Sequence, residues 1–209
     1  MRDSFELPSG FEKPIQHKTM LPNFFIIGAA RSGTTALYHN LSEHPDIFMP
    51  QKKEPHFFSG SWSKGVEWYE QFFEAHEGEL CVGEASVSYS YPPHTQTPGR
   101  IAQVCPDARL IYILREPVAR AFSHYNYYRY YARKENRDFE QALRENPVYL
   151  GASRYSEWLE RYLDYFDRNQ IKVLIFEEFI SDSEETLSEV FRFLDVDTDF
   201  EPESTGKKT

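Results

Sequence analysis

Five short apolar runs punctuate the chain, at 24–27, 46–49, 80–85, 109–114 and 172–176. Each is too short for a helix of ordinary length and rich in aromatic or branched side chains, which predicts buried strands. The stretches between them follow a different rule. Residues 34–43 predict a helix that stops before His44-Pro45, because the residue ahead of a proline resists the α region. Further helices are predicted over 66–73, 99–104, 117–134, 138–144, 153–166 and 183–194. In the last of these, Leu187, Val190, Phe191 and Leu194 recur at helical spacing. Pro117 opens the longest, a first-turn position where its missing N–H costs nothing. Residues 50–59 and 86–98 read as irregular segments rich in Pro, Ser and aromatic residues. Strands alternating with helices predict a three-layer α/β fold around a central parallel sheet. No repeat or linker divides the chain, so residues 21–209 are expected to form one domain, preceded by a loosely ordered leader over 1–20.

The first strand runs into an unusual turn. Gly28 is followed by Ala29-Ala30-Arg31-Ser32-Gly33-Thr34-Thr35, after which the helix begins. Small residues between a strand and a helix start aim several backbone N–H groups at one point beside a positive helix end, a ready anion site. The spacing is G-x-x-x-x-G-T-T, so the fold is expected to be P-loop-like. A Walker loop has Lys where Thr34 stands, and here the loop's cation is Arg31, three residues earlier. The loop is therefore built for phosphate but not wired like an ATPase.

Two more constellations sit at expected strand ends. Arg115 follows the fourth apolar run, where open α/β sheets bind their ligands, and Ser123 lies eight residues further along the next helix. A cation where Walker-type enzymes present a metal-binding Asp points to a second anion site, with no metal required. Lys53-Glu54-Pro55-His56-Phe57-Phe58 carries two candidate bases. In an extended segment Glu54 and His56 share a side, and either has the chemistry of a general base.

Overall charge narrows the partners. A formal net charge of −10 and a pI near 5.2 disfavour a nucleic-acid binder. No apolar run approaches the ~20 residues of a membrane span, and residues 1–20 lack the apolar core of a secretory signal. Cys81 and Cys105 supply neither a disulfide framework nor a metal set, the pattern of two reduced thiols in a cytoplasmic protein.

Taken in order and at these spacings, the three segments resemble the sulfotransferases that use 3′-phosphoadenosine 5′-phosphosulfate (PAPS), in particular the glycan branch that includes heparan sulfate O- and N-sulfotransferases. The likeness runs from about residue 23 to 194. Residues 28–37 look like the family's 5′-phosphosulfate loop, which implies cofactor binding by Arg31, Ser32, Gly33, Thr34 and Thr35. Residues 114–125, LREPVARAFSHY, look like its 3′-phosphate segment, whose Arg and Ser fall on Arg115 and Ser123. Residues 44–58 look like the acceptor-side segment, whose catalytic base falls on Glu54, with His56 as the fallback and Arg31 stabilising the leaving group. Tyr155 is placed like a family tyrosine near the cofactor.

The resemblance implies sulfuryl transfer from PAPS, as co-substrate and without a metal, to a hydroxyl or amine of a small-molecule or carbohydrate acceptor. Trp62, Trp68, Tyr89 and Tyr91 are candidates for stacking on sugar rings. Two departures stand out. Several glycan sulfotransferases read Glu-Lys-Thr or Glu-Lys-Ser after the third strand, whereas here the residues are Glu84-Ala85-Ser86. The family's basic loop over the adenosine is expected to begin near Lys207 and Lys208, where the sequence stops. Two alternatives remain at this point: a degenerate P-loop kinase or hydrolase with Glu177 and Glu178 as metal carboxylates, and a nucleotide-binding protein without turnover.

Overall fold

The computed structural model describes residues 21–203, so the expected leader and Lys207 and Lys208 lie outside the described residues. Five parallel strands form one sheet: β1 (Phe24–Gly28), β2 (Ile47–Phe48), β3 (Cys81–Ala85), β4 (Arg109–Leu114) and β5 (Ile171–Ile175). Their spatial order is β2-β3-β1-β4-β5. All four pairings are parallel, with Phe24 of β1 opposite Gly83 on one side and Arg109 on the other. The strand bearing the phosphate loop is thus central, where chain order reverses, and ligands of such sheets bind at the carboxyl ends there.

Strand alternation builds the two core layers. Phe24 and Ile26 of β1 face α1 (Thr34–Ser42) and α10 (Ser183–Leu194), packing with Leu37, Leu41, Leu187, Val190 and Phe191. Phe25 and Ile27 face the other layer, with Phe57 and Phe58 of α2 (Phe57–Gly60), Tyr69 of α3 (Val66–Glu70), Ile101 of α4 (Thr97–Val104) and Trp158 and Tyr162 of α8 (Tyr155–Leu163). Both faces of the sheet are covered, as a parallel sheet demands.

The structure departs from the sequence reading at several points. The helix from Pro117 does not reach 134: α5 spans Pro117–Asn126 and gives way to a π-helical turn over Tyr127–Tyr131. Consecutive tyrosines are poor helix continuers, and π-turns are frequent at functional sites. Three short helices depart from the sequence reading: α2, which lies largely within the segment 50–59 read as irregular, and, after α6 (Phe139–Glu145), α7 (Pro147–Gly151) and α9 (Phe176–Ser181). Finally, β2 pairs with β3 at the edge of the sheet, so β3 lies between it and β1.

Candidate active site

The turn after β1 explains its own composition. Gly28 has φ 143°, and a Cβ there would lie 2.0 Å from Ser90 Oγ. Gly33 has φ 86°, with the Phe176 ring 3.0 Å from where its Cβ would stand. Side chains at either position would strain the backbone and collide. Ala29 N donates to Ile113 O at 2.9 Å, which ties the turn to β4. Ser32 is fully buried and its Oγ has no hydrogen-bond partner among the described residues. An orphaned hydroxyl inside a loop that opens a nine-residue helix, whose first-turn amides lack intrahelical acceptors, fits an anion such as phosphate.

Arg31 and Arg115 meet at this loop. Arg115 Nη1 donates to Arg31 O at 2.9 Å, and Arg31 Nε donates to Ser123 Oγ at 3.3 Å. The two expected anion sites are therefore joined through Arg31. Each guanidinium lies against a ring: Arg31 over Tyr127 at 5.1 Å and Arg115 over Phe176 at 4.6 Å. Tyr155 acts on the backbone of Arg115. Its hydroxyl donates to Arg115 O at 2.7 Å and accepts from Arg115 N at 3.4 Å. Glu116 caps α5 by accepting from Val118 N and Ala119 N. Glu177 accepts from Glu116 N at 3.0 Å, so it serves a backbone amide. Among the described residues no group of three His, Cys, Asp or Glu side chains is placed to hold a metal ion.

The segment that carries Glu54 and His56 reaches the loop across the end of β3. Tyr38 OH donates to Pro50 O at 2.6 Å, and Glu54 N donates to Ala85 O at 3.1 Å, so residues 50–56 pass over the carboxyl end of β3. The segment is not extended. Glu54 and His56 have φ 62° and 53°, both left-handed. The head groups still converge, with His56 Nε2 3.5 Å from Glu54 Oε2. His56 Nδ1 lies 2.7 Å from Ser88 Oγ, which lies 2.7 Å from Ser59 Oγ. Burial lowers the His56 pKa, aided by Lys53 and opposed by Glu54, and favours a neutral ring.

Several residues that sequence reasoning did not single out complete the site. Lys53 Nζ donates to Thr35 Oγ1 at 2.8 Å and to Glu54 Oε1 at 3.3 Å. Arg120, fully buried, donates to Ala30 O at 3.3 Å, to Ser153 Oγ at 2.6 Å and to Tyr149 O, which locks the loop to α5 and α7. It also lies 3.2 Å from His124 Nδ1, and burial together with Arg120 and Arg31 pushes His124 down to about 3. Beneath the base segment, Glu84 is fully buried and receives Tyr89 OH at 2.5 Å and Tyr69 OH at 3.1 Å. Burial pushes its carboxyl up to about 7 against the hydrogen bonds from Ser86, Tyr89 and Tyr69.

A cavity of about 350 Å³ gathers Arg31, Thr34, Thr35, Lys53, Glu54 and His56, with Tyr91, His124, Tyr127 and Tyr128 as walls. A larger hollow of about 750 Å³ among Asp182, Glu184, Glu185 and Glu201 holds none of these groups. The chemistry belongs to the smaller one, which combines cations, hydroxyls, a carboxylate and an imidazole. Of the aromatic residues expected to stack on sugars, only Tyr91 lines it. Tyr89 is fully buried, and Trp62 and Trp68 pack against the second core layer. No described helix is long and apolar enough to cross a membrane.

The chain matches the model of the sulfotransferase domain over residues 21–207. It is 32% identical over 210 aligned residues to the bifunctional heparan sulfate N-deacetylase/N-sulfotransferase 4 of Mus musculus, covering 88% of this chain and 23% of that protein. It is 31% identical to heparan sulfate glucosamine 3-O-sulfotransferase 3B1 of Homo sapiens, over 83% of this chain and 46% of the relative. The chain thus spans about a quarter to a half of the length of these curated relatives. Among solved structures, a sulfotransferase from Alicyclobacillus acidocaldarius superposes with a TM-score of 0.81 at 35% identity, over 91% of this chain and 87% of that one. The family match and the likeness in structure agree, and the chain belongs to the sulfotransferase domain family.

Proposed function

We propose that this chain moves a sulfuryl group from PAPS to a hydroxyl or amine of a carbohydrate acceptor. The observation that carries the reading is the placement of Glu54 and Arg31 on the walls of one small cavity, with the hydroxyl-rich loop between them. PAPS supplies an activated sulfuryl group on a phosphate leaving group. Arg31, the buried Ser32 hydroxyl and the first-turn amides of α1 suit that phosphate, whose oxygen receives the electron pair of the broken S–O bond. Arg115 and Ser123 suit the 3′-phosphate, with Tyr155 fixing the Arg115 backbone. Glu54 removes the proton of the attacking oxygen or nitrogen as the new bond to sulfur forms. His56, held as a neutral ring, is oriented against Glu54 and is the second candidate for that proton. The sugar-sulfating relatives support a carbohydrate acceptor, with Tyr91, Tyr127 and Tyr128 available to a ring face.

The test is thermal unfolding with adenosine 3′,5′-bisphosphate, run beside ATP with Mg²⁺. At about 100 times its dissociation constant the bisphosphate adds roughly 2.7 kcal/mol of stability, and ATP adds less. An equal shift with ATP, or a requirement for Mg²⁺, overturns the reading in favour of nucleotide hydrolysis or phosphoryl transfer.

A further inference from the structure

Several glycan sulfotransferases read Glu-Lys-Thr or Glu-Lys-Ser where this chain has Glu84-Ala85-Ser86, and Ala85 ends β3. Ala85 is 2% exposed and packs in the core layer with α1 and α10. Another ammonium nevertheless enters the cavity. Lys53 comes from the segment between β2 and β3, and its side chain is 20% exposed. Its neighbour Lys52 turns outward, with its ammonium 5.5 Å from the Phe72 ring centre. The difference follows from the backbone. Successive side chains of an extended strand point apart, but the left-handed turn at Glu54 swings the carboxylate round beside Lys53.

Of the three donors on the Lys53 ammonium, Thr35 Oγ1 takes one and Glu54 Oε1 takes a second. The third has no partner among the described residues and is open to a ligand oxygen. Thr35 stands in the first turn of α1, so the ammonium bridges the phosphate loop and the base. A half-buried cation facing one carboxylate and one neutral hydroxyl is well placed for a further anion. Resting on the PAPS reading above, we propose that Lys53 is a catalytic residue. Its ammonium meets the oxygens of the sulfuryl group in transit while holding Glu54 towards the acceptor. No proton or electron pair passes through Lys53, whose part is to stabilise charge.

The test separates the sulfuryl group from the rest of the donor. Wild type, Lys53→Ala and Lys53→Arg are titrated by calorimetry with PAPS and with adenosine 3′,5′-bisphosphate, which has no sulfuryl group. Lys53→Ala is expected to weaken PAPS by about 10-fold or more, the worth of one charge-assisted bond, and the bisphosphate by less than about twofold. Lys53→Arg restores much of the difference. In turnover, Lys53→Ala lowers kcat by about 10²-fold with the acceptor KM little changed, and added ethylammonium recovers part of the loss. Equal loss of both nucleotides makes Lys53 a prop of the loop and overturns the proposal. Unchanged PAPS binding and turnover in Lys53→Ala overturn it as well. If wild type binds neither nucleotide, the PAPS reading itself fails, a result distinct from any behaviour of the variants.

Discussion

Replacing Arg115 with alanine separates the two halves of the donor site. The guanidinium makes one recorded hydrogen bond, from Nη1 to Arg31 O at 2.9 Å, and rests on the Phe176 ring at 4.6 Å. Losing an ordinary hydrogen bond costs about 0.5–1.5 kcal/mol, and a partly exposed cation–ring contact about 0.5–1 kcal/mol. The variant is therefore expected to fold, with a melting temperature lower by roughly 3–8 °C for a domain of this size. Binding responds more strongly. A charge-assisted hydrogen bond to a phosphate is worth about 1.5–3 kcal/mol, or roughly 10- to 100-fold in affinity. Calorimetry with adenosine 3′,5′-bisphosphate should show that loss, and with adenosine 5′-monophosphate, which lacks the 3′-phosphate, a loss under about threefold. Arg115→Lys keeps the charge without the planar fork and falls between. If the two nucleotides weaken by the same factor, Arg115 acts by shaping the loop through Arg31 O and has no 3′-phosphate to bind.

Glu54→Gln should leave bisphosphate binding near normal and cut sulfuryl transfer to a hydroxyl acceptor by about 10²–10⁴-fold, measured with labelled PAPS. His56→Asn should cost less, and the reverse order would move the base to His56. Glu84 makes a pH prediction. Its folded-state pKa, raised to about 7, lies above the unfolded value, so the native state holds a proton that the unfolded chain has lost between about pH 4.5 and 7. Stability from this group therefore falls as pH rises through that window, by an amount on the order of 3 kcal/mol, and then levels off. Glu84→Gln should flatten the slope in denaturant melts from pH 5 to 8, and an unchanged slope would refute the assignment.

The sequence carried the strands and the phosphate turn because both are local. Apolar runs of four to six residues leave few options, and Gly28 and Gly33 were needed for φ values of 143° and 86°. Strand order was not written locally. Nothing in Ile47-Phe48 says whether it pairs with β1 or β3, since both are apolar and parallel. The place of Glu54 on the cavity wall depends on the left-handed turns at 54 and 56, which are invisible to a pattern of polar and apolar positions. Lys53 was visible as a charge, but its direction depended on the same turn. Nothing in the sequence marks Arg120 for burial, because only the packing of α5 against α7 and the loop encloses it. Glu84 read as part of a strand, and its two tyrosine partners come from α3 and from the turn that follows β3.

The strand order has an engineering consequence. Arg31, Ser32, Thr34, Thr35, Arg115 and Ser123 follow β1 and β4, whereas Lys53, Glu54, His56, Ser88 and Tyr91 come from the two strands on the opposite flank of β1 and the turns around them. The chain enters that flank after α1 and leaves it in the run from β3 to β4. A single contiguous block, roughly residues 44–96, can therefore be exchanged as a cassette between homologues. Its two junctions fall after α1 and before α4, outside every strand. Chimeras cut there keep one parent's loop after β1 and its Arg115–Ser123 segment while exchanging Lys53, Glu54, His56 and Tyr91 together, so half of the cavity wall can be recombined as one unit against a fixed loop.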